Sequence, residues 1–491
     1  MNKRCTIVVI GGGIAGVSCI EALFQELEVE KSLSATVMLI SESRLVKSIA
    51  NYESRGRQLE WFDVHEESVE RSICPNKPEG LNFISIIGQV VRINASTKVL
   101  IYNDGKADLD LHYDVICLCT GSRPRKLSWP DQSMSKEVDE RIIIIRDTNT
   151  VLDLKERLKH CRRVAIVGNG GIGLELVDKI AQCEKVWIIR DDSIGLTFFD
   201  SGASKFLLDA RKNKLVNPVE NSHKLSYSAT TKTSTVSGDF GPSLGPDWSS
   251  NIELKGMTDP GNPLEIIYND EVLKVCYIRE KFPLSVTTKG GKSFDCDLIV
   301  SAIGVLPSPP LVEGKVLSLS ATDGGVLIDD QMRTSVDNIY AAGDVVSCEG
   351  WTDTELWFQM RLWVQARQMG HYAGKCIVEH LNERDPGIYF NFDCFTHCTT
   401  FFGYRLILLG RYNAQNINSS DAANCEVIAR VNPMKDYVKL IIKSGSVIGA
   451  VLVGESGLEE TIENLIRDRI DISAFKDHIL DGTVDIDDYF D

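Results

Sequence analysis

Two stretches of the chain repeat one pattern of apolar and polar positions. In the first, an unbroken run from Thr6 to Ile10 stops at a cluster of glycines, after which Val17, Ile20, Leu23, Phe24 and Leu27 recur at helical spacing on one face. This predicts a buried strand, a tight turn and an amphipathic helix, with a second strand over Thr36–Ile40. The order returns at Val164–Val167, where glycines lead into a helical stretch carrying Glu175 and then into a strand-like run, Val186–Ile189.

The glycines give the pattern its chemistry. Gly11, Gly13 and Gly16 in the first unit, and Gly168, Gly170 and Gly173 in the second, keep G-x-G-x-x-G spacing. At that spacing the first glycine allows the turn, the second lets the backbone approach a pyrophosphate, and the third lets the helix sit close to the strand. The helix N-terminus adds free N–H groups and the positive end of its dipole. One such motif is weak evidence. Two, each between a strand and a helix, point to a chain that binds two dinucleotides. The fingerprint then wants an acidic residue after the second strand, to hold a ribose hydroxyl. In the first unit Ser41 stands in strict register and Glu42 one residue beyond, and Glu42 is favoured as the ribose ligand. In the second unit Arg190 holds the position and suits a 2′-phosphate, but Asp191 and Asp192 follow and suit a free hydroxyl. NADH and NADPH both stay open.

Elsewhere the pattern changes. Residues 217–262 are rich in Ser, Thr and Gly with little apolar periodicity, and interrupt the second unit before strands resume at "IIYNDEVLKVCYI". Near its end the insertion carries "GPDW", Gly245 to Trp248, whose apolar anchor is expected to dock. From about Tyr389 strand-like runs follow, two of them joined in hairpin fashion by "KSGSV", then a helix "LEETIENLIRDRI" and an acidic tail.

Composition narrows the class. A chain of 491 residues exceeds one hydrophobic core, so two to four domains are expected. With 43% hydrophobic and 25% charged residues it is globular, and a formal net charge of -16 argues against a direct nucleic-acid surface. The 14 cysteines include no CxxC pair, and several lie in apolar strands, which fits a reducing intracellular compartment. No apolar stretch approaches the roughly 20 residues a membrane helix needs, so a soluble protein is expected. Cys394, His397 and Cys398 lack a partner motif, so no metal site is expected.

Two further stretches carry a resemblance. "YDVICLCTGSRPR" is an apolar strand ending at Thr120 and Gly121, and "FDCDLIVSAIGVLPS" repeats the form. "TSVDNIYAAGDVV" follows, with Gly343 and Asp344 at its close. Over residues 1 to about 385 this order resembles the two-dinucleotide-binding flavoproteins, the pyridine nucleotide-disulfide oxidoreductases. The resemblance implies an α/β fold: two Rossmann-like dinucleotide-binding domains, for FAD and NAD(P), plus a C-terminal α+β domain. The FAD domain would span 1–145 and 321–387, the NAD(P) domain 146–320, and the C-terminal domain 388–491. It also implies roles. Asp344 would bond the flavin's ribityl chain, with Thr120, Gly121 and Gly343 against FAD. Ile14, Ala15 and Val90 would be further FAD-side positions, and Glu175 would lie near the nicotinamide and flavin. A narrower likeness, in "GPDW", "IGLTFFDSGA" and "ELWFQMRLWVQARQMG", is to animal members of this family. It implies a cytoplasmic and nuclear location and a link to protecting the tRNA-splicing ligase complex from oxidative inactivation.

The chain departs from the family at the decisive place. Disulfide reductases of this class carry Cys-x4-Cys after the first dinucleotide unit, whereas "LISESRLVKSIANYE" holds none. Disulfide exchange needs an attacking thiolate and a resolving partner, and the C-terminal His-x4-Glu pair is missing too. A flavin without a protein disulfide is expected, discharging to oxygen, a quinone or a redox protein. Lys47 resembles the lysine that related flavoproteins present near flavin N5, where a cation favours the anionic reduced ring. Trp357 falls where the flavin's pyrimidine edge would be covered, although core packing is the commoner use of such a tryptophan. The competing reading is a nucleotide-regulated binding protein whose turnover is slow and incidental.

Overall fold

The computed structural model describes residues 4–30, 33–129, 134–216, 244, 248, 252–257, 264–351, 355–387, 392–415, 417 and 423–481. Two five-stranded parallel sheets dominate them. The first runs Ile339–Ala341, Val115–Leu118, Arg4–Ile10, Ser34–Ser41, Asn82–Ile87 in spatial order. The second repeats the arrangement as Ile142–Ile144, Leu298–Ser301, Arg163–Val167, Glu184–Ile188, Leu264–Ile267. Central strands of parallel sheets are covered on both faces and read as continuous apolar runs, as Ile7, Val8 and Val9 do with no exposed surface.

The chain crosses between the sheets twice. Ile142–Ile144 already belongs to the second sheet, and Val312–Glu313 already pairs with Ile93–Asn94 of the first unit. Both pairings lie just before the boundaries expected at 145/146 and 320/321. Sequence pattern alone does not show which sheet a short strand joins. At the crossovers Ser122–Pro124 pairs antiparallel with Val305–Pro307, so the two strand-end motifs lie side by side.

Helix Ile14–Val29 packs on helix Trp363–Leu381. A Cβ on Gly370 would fall on the Ala15 carbonyl, and one on Gly374 would crowd the Cys19 carbonyl. Glycine at both positions lets the backbones meet directly.

The last sheet is antiparallel, in the order Thr396–Phe401, Tyr404–Gly410, Ser446–Gly454, Asp436–Lys443, Cys425–Asn432, and carries helix Glu459–Arg467. One face shares a hydrophobic cluster with the second nucleotide unit, through Phe395, Phe401 and Tyr437 against Phe198, Phe199 and Phe206. Of the 217–262 insertion only Leu244, Trp248 and residues 252–257 are described; the remainder and the acidic tail 482–491 lie outside the described residues. No helix among the described residues is long and apolar enough to cross a membrane.

Candidate active site

The two glycine loops are geometric copies. Gly11 has φ 114° and Gly168 φ 123°, both in the left-handed region open to glycine. A Cβ on Gly11 would strike the Cys119 carbonyl, and one on Gly168 the Ala302 carbonyl. Gly16 and Gly173 lie against the Gly11 and Gly168 carbonyls in turn. Gly13 and Gly170 each N-cap the helix that follows, and a Cβ there meets nothing within 4 Å. Open space at a helix N-terminus, reached by bare backbone, is what a pyrophosphate requires. Ile14 and Ala15 form the first turn of the first helix.

Around the first loop, polar groups gather where a dinucleotide would extend. Ser41 is buried and accepts the Ser43 N–H at 3.3 Å, so its hydroxyl is used locally. Glu42 sits beside the Gln89 side chain and Arg146; burial pushes its carboxyl up, and those two partners counter it. Val90, partly buried, packs against the first core next to Gln89. Ser122 Oγ donates to Asp344 Oδ2 at 2.8 Å, and Arg361 Nε donates to the Asp344 carbonyl at 2.9 Å. Enclosure raises the Asp344 carboxyl, against the opposing pull of Ser122, Arg361 and Arg146. Gly343 packs on Ala15, which brings the Asp344 turn against the phosphate loop. Thr120 Oγ1 donates to the Ser308 carbonyl at 2.7 Å, while the Ser308 N–H returns to Gly121. Arg146, drawn down by burial and held up by Asp147, Glu42 and Asp344, was not evident from the motifs. It reaches this region because the short strand 142–144 ends beside Ser122, whose carbonyl it also engages at 2.9 Å.

Lys47 lies on a two-stranded antiparallel ribbon, Leu45–Ser54 with Glu60–Ser68, which runs out from the first loop. Its N–H donates to the Gly12 carbonyl at 3.0 Å. Its side chain is 2% exposed, and Nζ stands 2.5 Å from Glu66 Oε2. Thr148 Oγ1 donates to the same oxygen at 2.8 Å, which ties the ribbon to the entrance of the second unit. Glu66 is the cross-strand partner of Lys47. The ribbon's register brings the two together, and no motif marks Glu66.

Glu175 lies on the helix Gly171–Lys179 and is 8% exposed. Its Oε2 accepts the indole N–H of Trp248. Lys47 and Glu175 therefore each have a charged or polar partner of their own, Glu66 and Trp248. Arg190 is 78% exposed and 3.9 Å from Asp191, while Asn169 of the second loop holds Asp191 Oδ2 at 2.7 Å.

Trp357 is 3% exposed and stacks on Trp351 at 5.2 Å, with Phe392 edge-on to both, which gives it a packing role in an aromatic cluster. Cys394 and Cys398, the latter on the first strand of the C-terminal sheet, are buried in one hydrophobic cluster, and burial pushes the Cys394 thiol up to about 12. All 14 cysteines are free thiols. Among the described residues no three His, Cys, Asp or Glu side chains form a metal cluster.

Two dinucleotide loops on two parallel sheets, joined by paired crossovers, define a two-nucleotide oxidoreductase. The family model for pyridine nucleotide-disulphide oxidoreductases matches residues 5–239 and 264–370, and the chain belongs to that family. Its cofactors are FAD and a nicotinamide nucleotide. Nearer relatives are called pyridine nucleotide-disulfide oxidoreductase domain-containing protein 1. The Mus musculus protein is 36% identical, over 99% of this chain and 98% of its own, and that of Drosophila melanogaster 35%, over 100% of both. Among solved structures, the water-forming NADH oxidase from Lactobacillus brevis bound to NADH matches with a TM-score of 0.62 at 16% identity, over 95% of this chain and 92% of that one. A putidaredoxin reductase–putidaredoxin complex matches at 0.64 and 14%, over 95% and 94%.

Proposed function

We propose that the chain is an FAD-dependent NAD(P)H oxidoreductase without a redox-active cysteine pair, passing electrons to oxygen or another diffusible acceptor. When bound, FAD supplies the two-electron relay between the nicotinamide nucleotide and that acceptor. The observation that carries the reading is the Lys47–Glu66 pair on the ribbon beside the first loop, in the stretch where disulfide reductases place their cysteines. Gly11, Gly13 and Gly16 would cradle the FAD pyrophosphate, Glu42 its ribose and Asp344 its ribityl chain. The Lys47 ammonium would offset negative charge at the flavin's edge, with Glu66 and Thr148 fixing its position. Gly168, Gly170 and Gly173 would seat the nicotinamide nucleotide, Arg190 would meet a 2′-phosphate, and Glu175 would hold the nicotinamide end.

The test is anaerobic reduction of the FAD-loaded protein by NADH and by NADPH, followed by air. Bleaching of the flavin band, then recovery with hydrogen peroxide or water formed, supports an oxidase. A flavin that neither nucleotide bleaches overturns the reading. Bleaching that persists in air removes oxygen from the list of acceptors.

A protein partner, with the tRNA-splicing ligase complex the one the narrower likeness implies, belongs to the same proposal. An exposed apolar strip supports it: Leu311, Val316 and Leu319 are 60%, 86% and 46% exposed. Ligase activity under oxidant, with and without this protein and NADPH, tests that part. Equal inactivation in both arms removes it.

A further inference from the structure

Trp248 stands where the insertion touches the second nucleotide unit. It is 2% exposed and sits in the same cluster as Leu174, Leu176 and Phe199. Its indole N–H donates to a carboxylate, that of Glu175. Other tryptophans show how a core indole is ordinarily satisfied in this chain. Trp187 donates to the Gly168 carbonyl, Trp351 to that of Ile328 and Trp363 to that of Leu244. A hydrogen-bonded backbone carbonyl is neutral and far cheaper to bury than a carboxylate, which is costly beside an aromatic core unless its oxygens are engaged. Packing alone therefore accounts for the other three indole bonds and not for this one.

The same segment is fixed four residues earlier. The Leu244 N–H donates to the Arg146 carbonyl at 2.7 Å, and the Leu244 carbonyl accepts the Trp363 indole at 2.7 Å. Arg146 faces Glu42 and Asp344 on the flavin side, and Trp363 opens the long helix that packs on the first phosphate-loop helix. One end of this short segment is tied to the flavin side, and the other reaches the helix that follows the second loop.

We propose that Trp248 is a positioning residue for the nicotinamide. Its buried indole bonds Glu175 Oε2 and fixes the direction of the carboxylate toward the N–H2 of the nicotinamide carboxamide. The insertion thereby contributes a residue to nucleotide recognition. This rests on the functional reading above, which places the nicotinamide beside Glu175.

The test measures affinity of the FAD-loaded, full-length protein for NAD⁺, NADP⁺ and ADP-ribose by flavin fluorescence, with no turnover. ADP-ribose keeps the adenine and pyrophosphate and lacks the carboxamide. Trp248→Phe keeps most of the ring in the core and removes the N–H. The expected result is binding of NAD⁺ and NADP⁺ weakened about tenfold, the scale of one hydrogen bond to a charged group, with ADP-ribose unchanged. Glu175→Ala should weaken the same two ligands, and the double variant should add little to either single loss. Equal weakening of ADP-ribose would mean a structural role only, and overturns the proposal. So does unchanged affinity for all three, or full additivity of the two substitutions. If the wild-type protein binds none of the three, the functional reading itself falls and takes this proposal with it.

Discussion

Lys47 and Glu66 face each other across the two strands of one ribbon, with Nζ 2.5 Å from Oε2 and little of either side chain exposed. The pair is enclosed, so the energetics of either residue depend on the other.

Removing one partner of an enclosed ion pair leaves an uncompensated charge, at a cost of about 3–5 kcal/mol. Lys47→Met, which keeps the alkyl stem, should lower stability on that scale. Glu66→Gln should cost less, because Gln keeps an oxygen for the Lys47 ammonium and the Thr148 hydroxyl. Denaturant unfolding of the two variants reads the difference; a smaller loss for Lys47→Met would contradict it.

Nucleotide choice should respond to Arg190. Its exposed guanidinium lies 3.9 Å from Asp191, a carboxylate that Asn169 already holds. Arg190→Ala should weaken NADPH by about tenfold and leave NADH within about twofold, since only one carries the 2′-phosphate. Parallel KM measurements check this, and equal losses for both nucleotides would show that Arg190 does not discriminate.

His397 should make the fold sensitive to acid. It is wholly enclosed between Phe198 and Trp363, and burial draws its pKa down to about 4. Unfolded, it titrates at about 6.5. Between those values the unfolded chain binds more proton, so the stability is complete above the unfolded pKa and is lost as pH falls toward the folded one. The slope is at most about 1.4 kcal/mol per pH unit. Relative to His397→Met, the wild type should lose about 2 kcal/mol between about pH 7 and about pH 5. Matching pH slopes in the two proteins would rule this out.

Gly370→Val should loosen FAD without touching a polar group. A side chain there collides with the Ala15 carbonyl, in the first turn of the phosphate-loop helix. Overpacking costs about 1–3 kcal/mol, and here the strain lands on the loop that would hold the pyrophosphate. Lower FAD content after purification, with recovery on adding excess FAD, is the expected result. Full FAD content at a normal melting temperature would show that the helices can part without disturbing the loop.

The elements that sequence revealed are those whose chemistry is local. The glycine loops could be read because the spacing of Gly11, Gly13 and Gly16 reports backbone geometry directly, and the same holds for the strand-like runs of the C-terminal sheet. Glu66, Arg146 and Trp248 could not be read this way. Glu66 depends on the ribbon's register, which an irregularity between Ala50 and Glu53 shifts. Arg146 depends on which sheet a three-residue strand joins, and Trp248 on where an insertion without periodicity comes to rest. Trp357 shows the opposite limit, since its position in the motif said nothing about the aromatic neighbours it packs with.

The turn of the Lys47 ribbon is held from far along the chain. The N–H of Gln58 donates to Glu463 Oε1, 405 residues later, the Gln58 carbonyl accepts from Thr396, and Arg57 pairs with Asp468. During synthesis the ribbon leaves the ribosome long before the helix that latches it. The first phosphate loop can form early, with its lysine still unset. Assembly of this site therefore waits for the helix Glu459–Arg467, and a ribosome stalled before it would leave a chain able to fold its first sheet but not to hold the Lys47 ribbon in place.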